Sequence, residues 1–404
     1  MLFNALNRSY KSVAKIWELL SFRLKNRQII DMRHFSIIFL VITFLISCGH
    51  NPQNDISIIN IEKKYPIKQL TIQEIWNVKY VPLDTDDTYL VPSSTPDYLS
   101  DNHIGFINHT TGDILFWNSQ TGEKAFIINR KGPGPEEYKA AGAIVLDEKN
   151  SELYIWSIWD GTIQVYNTDG KYCKTLYMHN HKKGEFNDVT NMINANDSLL
   201  IFSVNNMKGY TLHFYLNKLS GNTRLIDSIP QNKVVSLYIQ ENINGVHYSI
   251  APTIKPIIKI KDGYIYADHS NDTIYKVEQG NFKTYIVREP FIQDMPDKWI
   301  LRYHTETEQW IILSSVHLSY NFKDSEGLET KFYGIKKDTN EIFEIHFKNR
   351  DFGSTNFKFT GDMYTYLSND ILLNALNDGN LKNKLESITK DLTTDDNGVL
   401  MLLR

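Results

Sequence analysis

The segment Thr162-Ile163-Gln164-Val165-Tyr166-Asn167-Thr168-Asp169-Gly170 decides the fold of this 404-residue chain. Its first five residues alternate between polar and apolar and include β-branched and aromatic side chains, which favours a β-strand. The Asn-Thr-Asp-Gly sequence that follows is typical of a tight turn. Similar strand-and-turn units recur at residues 113–122, 210–221, 272–280 and 331–340. The chain is therefore predicted to consist of repeated antiparallel strands.

The spacing of these units predicts the architecture. Their turn residues are Gly122, Gly170, Gly221, Gly280 and Asn340, and they lie about 48, 51, 59 and 60 residues apart. A period near 50 residues, with about four short strands in each unit, is typical of propeller blades. Five blades thus account for roughly residues 100–350, and two pieces at the ends remain unassigned.

Those end pieces are predicted to form a sixth blade. Residues 78–83 have a strand pattern, and residues 399–403 form an apolar run that would be exposed if it stayed unpaired. Pairing them with each other and with residues 362–367 closes the ring and removes free sheet edges. Residues 369–392 have the spacing of two helices, which are expected to cover the outside of this blade. The predicted fold class is all-β, a six-bladed β-propeller closed by pairing of the N- and C-terminal strands, with a short helical insertion near the C terminus.

Residues 32–48 resemble a bacterial lipoprotein signal. The apolar stretch over residues 35–46 follows two basic residue types and is shorter than the roughly 20 residues that span a bilayer as a helix. Leu45-Ile46-Ser47-Cys48 resembles the lipobox at which cleavage leaves an acylated cysteine. We therefore expect translation to start at Met32, residues 1–47 to be a signal region, Cys48 to be lipidated, residues 48–69 to be a lipid-anchored tether and residues 70–404 to be the propeller.

Removal of the signal region makes the protein acidic. Residues 1–47 carry seven Lys or Arg and two Asp or Glu, so the formal net charge changes from −4 to −9. An acidic protein is a poor partner for nucleic-acid phosphates, and it does not adhere to an anionic membrane by charge. The predicted membrane contact is therefore the lipid anchor. Acylation of Cys48 leaves Cys173 without a disulfide partner, and the strand pattern around Cys173 predicts a buried thiol.

The chain resembles the six-bladed β-propeller lipoproteins that are common in Bacteroidetes, over essentially the whole mature length. The matching segments are the lipobox at Cys48 and residues 78–85, 132–138, 272–277 and 395–400, the last with Gly398 where proline is usual. The resemblance implies a propeller that is lipid-anchored in the Gram-negative cell envelope, at the outer membrane, with the periplasmic or surface side left open. It implies no catalytic residues, because most members of that family have no assigned reaction.

The loop Gly132-Pro133-Gly134-Pro135-Glu136-Glu137-Tyr138 is predicted to cross from one blade to the next. Phosphate binding is disfavoured, because the two prolines lack N–H donors and the two glutamates repel anions. Crossings and turns carry the side chains that are most free to bind ligands. The candidate ligand-binding residues are Arg130, Glu137, Tyr138, Trp159, Asp160 and His269. At least three of the six are expected to share a cleft at the mouth of the central channel.

The preferred hypothesis for function is a binding or assembly scaffold for a protein, peptide or glycan ligand. No metal or cofactor is predicted, since His179 and His181 have no third ligand nearby in the sequence. The alternative is a propeller enzyme, either a glycan hydrolase or lyase or a metal-dependent lactonase, with its site in the central channel. Converging histidines and carboxylates at the channel mouth would favour the enzyme, and a flat aromatic rim would favour the scaffold.

Overall fold

The computed structural model describes residues 56–178, 186–206, 211–323, 327–353, 359 and 362–404. Cys48, the signal region 1–47 and the pair His179 and His181 lie outside the described residues. The described chain is built almost entirely of β-strands, which form six blades.

Five blades are antiparallel four-stranded units that follow one another along the chain. Blade 1 comprises β4 (Tyr98–Leu99), β5 (His103–Ile107), β6 (Ile114–Asn118) and β7 (Lys124–Ile128). Blade 2 comprises β8 (Ala141–Asp147), β9 (Glu152–Ser157), β10 (Thr162–Asn167) and β11 (Tyr172–Tyr177). Blade 3 comprises β12 (Phe186–Asn194), β13 (Leu199–Asn206), β14 (Thr211–Asn217) and β15 (Thr223–Ile229). Blade 4 comprises β18 (Ile257–Ile260), β19 (Gly263–Tyr266), β20 (Thr273–Glu278) and β21 (Asn281–Glu289), and blade 5 comprises β22 (Trp299–Glu306), β23 (Trp310–His317), β24 (Thr330–Lys336) and β25 (Ile342–Lys348).

Blade 6 is assembled from both ends of the described chain. Its strands are β26 (Tyr364–Leu367), β27 (Val399–Leu403) and β3 (Val78–Pro82), in that order. The C-terminal strand β27 lies between the other two and is antiparallel to both, with Met401 opposite Tyr80 and Thr365. All five residues of β27 are buried. The prediction that the terminal strands pair and close the ring is confirmed.

The hydrophobic core is distributed over six seams between neighbouring blades. Each of six apolar clusters draws its side chains from two consecutive blades, and the last of them joins blade 6 back to blade 1. In the seam between blades 1 and 2, for example, Phe116 and Ile155 belong to the same cluster, and both are fully buried. Because each blade has a partner on both sides, apolar residues are buried on both of its faces. The predicted six-bladed β-propeller is therefore confirmed.

Two N-terminal strands extend blades 4 and 5 at their outer edges. β1 (Ser57–Asn60) is parallel to β21, and β2 (Ile67–Thr71) is parallel to β25. The chain between Ser57 and Pro82 thus runs along the outside of blades 4, 5 and 6 in turn. Strand structure begins N-terminal to residue 70, the position at which the sequence predicts the change from tether to propeller.

The predicted helices lie at the outside of blade 6. α2 (Asn369–Asn377) and α3 (Asn383–Lys390) flank Gly379, and a single turn, α1 (Ile72–Ile75), precedes β3. Leu372 and Leu385 insert into the cluster shared by blades 5 and 6, and α3 contacts β3. Among the described residues, no helix has the length and apolar character that a membrane span requires.

The long crossing from blade 3 to blade 4 carries the hairpin of β16 (Ile239–Ile243) and β17 (Val246–Ile250). No residue of the hairpin is buried. Short 3-10 turns occur at Gln231–Lys233, at the start of this crossing, and at Ile292–Asp294.

Cys173 differs from its prediction, because its side chain is exposed. It lies on β11, the outer strand of blade 2, where only part of the strand faces a neighbouring blade. The alternating pattern around Cys173 predicted the strand correctly, but it could not show that this strand lies at the rim.

Candidate ligand site in the axial channel

Two adjacent cavities lie among the inner strands of the propeller. The larger has a volume of about 930 Å³ and is lined by residues at or near strands β4, β8, β12, β18 and β27. The smaller has a volume of about 220 Å³. Leu99, Lys255, Ile258 and Met363 line both cavities, so the two form one channel region. The larger cavity alone has a volume within the range of small-ligand sites.

The smaller cavity contains a group of charged and polar side chains from three blades. Lys255 stands at the end of the crossing from blade 3, two residues before β18 begins. Arg302 comes from β22 of blade 5, and Asp362 precedes β26 of blade 6. The Arg302 Nη2 and Asp362 Oδ1 atoms are 3.5 Å apart. The fold therefore brings together residues that are between 47 and 107 positions apart in the sequence.

Lys255 and Arg302 are the two cations of the smaller cavity. The Lys255 Nζ atom lies 5.1 Å from the centre of the Tyr364 ring. Lys255 is exposed toward the two cavities that it lines, while the surrounding protein encloses the rest of its side chain. This enclosure lowers the pKa of Lys255, an effect that Asp362 opposes and Arg302 reinforces. Burial also lowers the pKa of Arg302, against the opposing charge of Asp362.

Tyr364 and His304 complete the polar lining. Burial raises the pKa of Tyr364, so its hydroxyl stays protonated and can donate or accept a hydrogen bond. His304 is largely buried, and its Nε2 atom lies 2.8 Å from the Ser314 hydroxyl. The lining thus includes two cations, one carboxylate, two tyrosines and one histidine, together with apolar residues such as Ile258.

A second polar group lies in the seam between blades 3 and 4. The Nδ1 atom of His213 is 2.8 Å from the Ser203 hydroxyl, and its Nε2 atom is 3.1 Å from a carboxylate oxygen of Asp268. Ser203 and His213 have no exposed surface, and Asp268 has almost none. Because no substrate can reach the serine, this Ser-His-Asp group joins the two blades and is not an active site.

Three of the predicted ligand-binding residues hold the crossing between blades 1 and 2 in place. Tyr138 is fully buried, and its hydroxyl donates to the Gly112 carbonyl at 2.6 Å and accepts from the Arg130 backbone N–H at 3.1 Å. The Arg130 Nε atom donates to the Gly170 carbonyl at 2.9 Å. Glu137 accepts a hydrogen bond from the Gly134 N–H at 2.8 Å. The segment after β7 leads directly to β8, as expected for an inter-blade crossing.

The other three predicted residues have different surroundings from one another. Asp160 accepts hydrogen bonds from Lys139 at 2.7 Å and from the Ser157 hydroxyl at 3.2 Å, which ties the turn after β9 to the same crossing. Trp159 is next to it and 73% exposed. His269 lies in blade 4, where its Nε2 atom donates to the Val235 carbonyl at 2.9 Å.

The structure thus places five of the six predicted residues around one crossing and its neighbouring turn, while His269 lies in another part of the ring. None of the six, all of which are described, lines either axial cavity. The two axial cavities are therefore formed by other residues, and a cleft shared by at least three of the six stays a prediction. Ligand binding at the crossing itself stays a prediction, for which exposed Trp159 is the best-placed residue.

The residues that line the smaller cavity had no sequence signal strong enough to identify them. Arg302 and His304 alternate with Leu301 and Tyr303 along β22, and alternation alone cannot distinguish a strand face that lines a channel from one that faces bulk solvent. Lys255 precedes Pro256 in a long polar crossing, where a solvated lysine is the ordinary interpretation. Within the described ranges, no three His, Cys, Asp or Glu side chains are grouped closely enough to hold a metal ion.

The chain matches one family model and is similar in structure to solved proteins. The model of a family described as a domain of unknown function, DUF4934, matches residues 56–404. The solved structure of a protein described as exported, from Bacteroides fragilis NCTC 9343, has a TM-score of 0.57 and 15% sequence identity, and the match covers 86% of this chain and 99% of that chain. A DUF4221 family member from Bacteroides vulgatus ATCC 8482 has a TM-score of 0.45 and 10% identity, covering 82% and 97%. No curated protein matches the chain. The similarity to the first structure supports the shared fold.

Proposed function

This chain belongs to the DUF4934 family, and we propose that its propeller is a binding or assembly scaffold of the cell envelope that receives its ligand in the axial channel. The observation that carries the proposal is the channel itself. Charged and aromatic side chains from blades 4, 5 and 6 converge there beside apolar ones, which is the usual composition of a recognition site. The six seams hold this lining on a closed framework, so the site is formed before the ligand arrives.

The catalytic alternative lacks a comparable arrangement in its favour. Glycoside hydrolases commonly use two carboxyl groups about 5 to 9.5 Å apart. Asp362 is the one carboxylate among the described residues that line the smaller cavity. The larger cavity has five acidic residues in its described lining, and three of them, Asp147, Glu148 and Asp197, already have ion-pair partners. The contact of Asp362 with Arg302 fits an electrostatic role in recognition.

A blocking substitution tests the channel as the binding site. Ile258 lines both cavities, so Ile258→Trp fills space that a ligand would occupy. The matched control is Leu219→Trp, at a rim position that is 88% exposed. Titration calorimetry with a panel of soluble oligosaccharides and short peptides should show binding to the wild type and to Leu219→Trp, and about tenfold or weaker binding to Ile258→Trp.

Two results would overturn this function. Equal binding by Ile258→Trp and the wild type would place the ligand outside the channel. Conversion of a panel compound into product by the wild type, with loss of turnover in Ile258→Trp, would establish the enzyme instead.

We also propose that the mature protein is anchored through acylated Cys48. The lipobox resemblance supports this anchor, and the exported Bacteroides fragilis protein with the same fold is consistent with a location outside the cytoplasm. Metabolic labelling with a fatty acid should mark the wild type and fail to mark Cys48→Ala. Cys173→Ala, which removes the other cysteine, is the control and should be labelled normally. Labelling of Cys48→Ala would disprove the anchor.

A further inference from the structure

The two cations of the smaller cavity have little protein charge to balance them. Within the part of the chain that the structure describes, the Lys255 ammonium makes no hydrogen bond or ion pair, and it lies 5.1 Å from the centre of the Tyr364 ring. The Arg302 guanidinium has one carboxylate contact, at 3.5 Å to Asp362, which is longer than a well-formed charged hydrogen bond. Most of the N–H donors on these two groups are therefore available to a ligand.

The Arg302 side chain is 13% exposed and largely removed from water, whereas Lys255 is exposed to the channel. Removing a charged group from water is costly unless a partner of opposite charge replaces the lost hydration. Lys255 and Arg302 share a single carboxylate, and burial lowers the pKa of both groups, in agreement with incomplete compensation. An anion that entered this cavity would supply the missing charge and accept the free N–H donors.

The lining of the larger cavity differs from that of the smaller one in its balance of charge. Its lining contains acidic and basic residues in nearly equal number, and most of them already have partners. Asp147 pairs with Lys218, Glu148 pairs with His103, and Lys149 pairs with Asp197. Lys259, from the same strand region as Lys255, donates to the Asn194 carbonyl at 2.9 Å. The excess of positive charge is therefore confined to the smaller cavity.

We propose that Lys255 and Arg302 form an oxyanion site that binds a carboxylate, phosphate or sulfate group of the ligand. This inference rests on the proposed binding function of the channel and adds the chemical class of what is bound. The planar guanidinium of Arg302 suits a two-oxygen contact, and the ammonium of Lys255 suits a point contact from the other side. A volume of about 220 Å³ accommodates an anionic group and a small attached moiety, while the larger cavity alongside receives the rest of the ligand.

The test measures the affinity of the purified full-length protein for sodium phosphate, sodium sulfate and glucuronate, with glucose as the uncharged counterpart of glucuronate. Lys255→Met and Arg302→Met each remove one cation and should weaken binding of at least one oxyanion about tenfold or more. Asp362→Asn removes the competing carboxylate and should strengthen oxyanion binding. Lys261→Met makes the same change of charge at an exposed turn that lines neither cavity and should change the affinity less than about twofold. Thermal melting of each variant shows whether it is folded.

The outcomes separate this inference from the proposed function. If the folded wild type binds a neutral oligosaccharide or peptide of the panel in the channel but none of the oxyanions, the oxyanion site is disproved and the scaffold function stands. If Lys261→Met weakens oxyanion binding as much as Lys255→Met, the effect is general surface charge and the site is again disproved. If Ile258→Trp binds oxyanions and panel ligands as the wild type does, both proposals fail. The preference among the three oxyanions identifies the group that the ligand carries.

Discussion

At the scale of single residues, the buried Lys218–Asp147 ion pair joins two blades. Lys218 follows β14 in blade 3, and Asp147 ends β8 in blade 2. The Nζ and Oδ2 atoms are 2.6 Å apart, and each side chain is at most 5% exposed. Lys218 also donates to the Asn196 carbonyl at 2.8 Å, and Asn150 donates to Asp147 at 2.9 Å. Each charge is therefore paired and hydrogen-bonded, which is the condition for tolerating a buried charge.

We expect Lys218→Met to destabilise the protein by about 3 kcal/mol, because Asp147 would remain buried without its partner. The control is Lys149→Met, which removes the exposed partner of Asp197 two residues along the chain from Asp147. That pair is open to solvent, so its loss should leave the free energy of unfolding unchanged within error. Urea unfolding of the three proteins at neutral pH measures the difference. Equal stability of Lys218→Met and the wild type would show that the ion pair does not hold the blades together.

The same pair predicts a pH dependence. Burial acts to raise the pKa of Asp147, but the hydrogen bonds from Lys218 and Asn150 outweigh it, and the pKa is lowered overall. A carboxyl whose pKa is lower in the folded state stabilises the fold above its unfolded pKa, about 3.9, and loses that contribution as the pH falls through the folded pKa. The stability deficit of Lys218→Met should therefore be largest at pH 7 and smaller near pH 3. A deficit that stays constant over this range would contradict the assignment.

At the scale of elements, β1 shows how the N-terminal segment belongs to the propeller. Ile59 is fully buried in the seam between blades 4 and 5, and its neighbour Ile58 is 54% exposed. The two residues therefore point to opposite sides of the same strand. β1 and β2 also cover the outer edges of two blades, which limits unwanted pairing with other chains.

Ile59→Ala should destabilise the protein by about 2 to 5 kcal/mol, because it leaves a cavity in the seam. Ile58→Ala removes the same atoms from the exposed side of the strand and should have little effect on the free energy of unfolding. Urea unfolding of both variants measures this contrast. If both substitutions have equally small effects, β1 is not part of the cooperative fold and the segment before residue 70 is a tether along its whole length.

The elements also show how far the sequence predicts the structure. The regular turns after β6, β10, β14, β20 and β24 made the blades predictable, because each turn is encoded locally. The parallel strands β1 and β2 were not predicted, since their partners lie more than 200 positions away and nothing local fixes the pairing. The site in the smaller cavity was not predicted for the same reason. Lys255, Arg302 and Asp362 become neighbours only when three blades are placed around the axis.

At the scale of the whole molecule, closure of the ring gives each blade two neighbours. The apolar run that ends the chain predicted this closure correctly, because a buried partner was the only stable place for it. The cluster between blades 6 and 1 contains Leu400 and Leu402, while the cluster between blades 5 and 6 contains Val399, Met401 and Leu403. One five-residue strand therefore contributes to two of the six seams.

Removal of residues 398–404 should prevent stable folding. The deletion takes five buried apolar side chains out of blade 6, each contributing roughly 1.5 to 3 kcal/mol, and leaves β26 and β3 without their common partner. A typical protein has a total stability of only about 5 to 15 kcal/mol, so the loss is comparable to the whole. We expect the truncated protein to show no cooperative melting transition by circular dichroism and to elute as aggregates in size-exclusion chromatography.

A larger deletion elsewhere provides the control for this experiment. Replacing residues 239–250 with a short Gly-Ser linker removes the β16–β17 hairpin, which pairs only with itself and contains no buried residue. This variant should elute without aggregates, as the wild type does, and melt within a few degrees of it, because the six seams are intact. A C-terminal truncation that melts like the wild type would show that blade 6 does not need β27. Loss of folding in the hairpin variant would show that ring closure is not what distinguishes the two deletions.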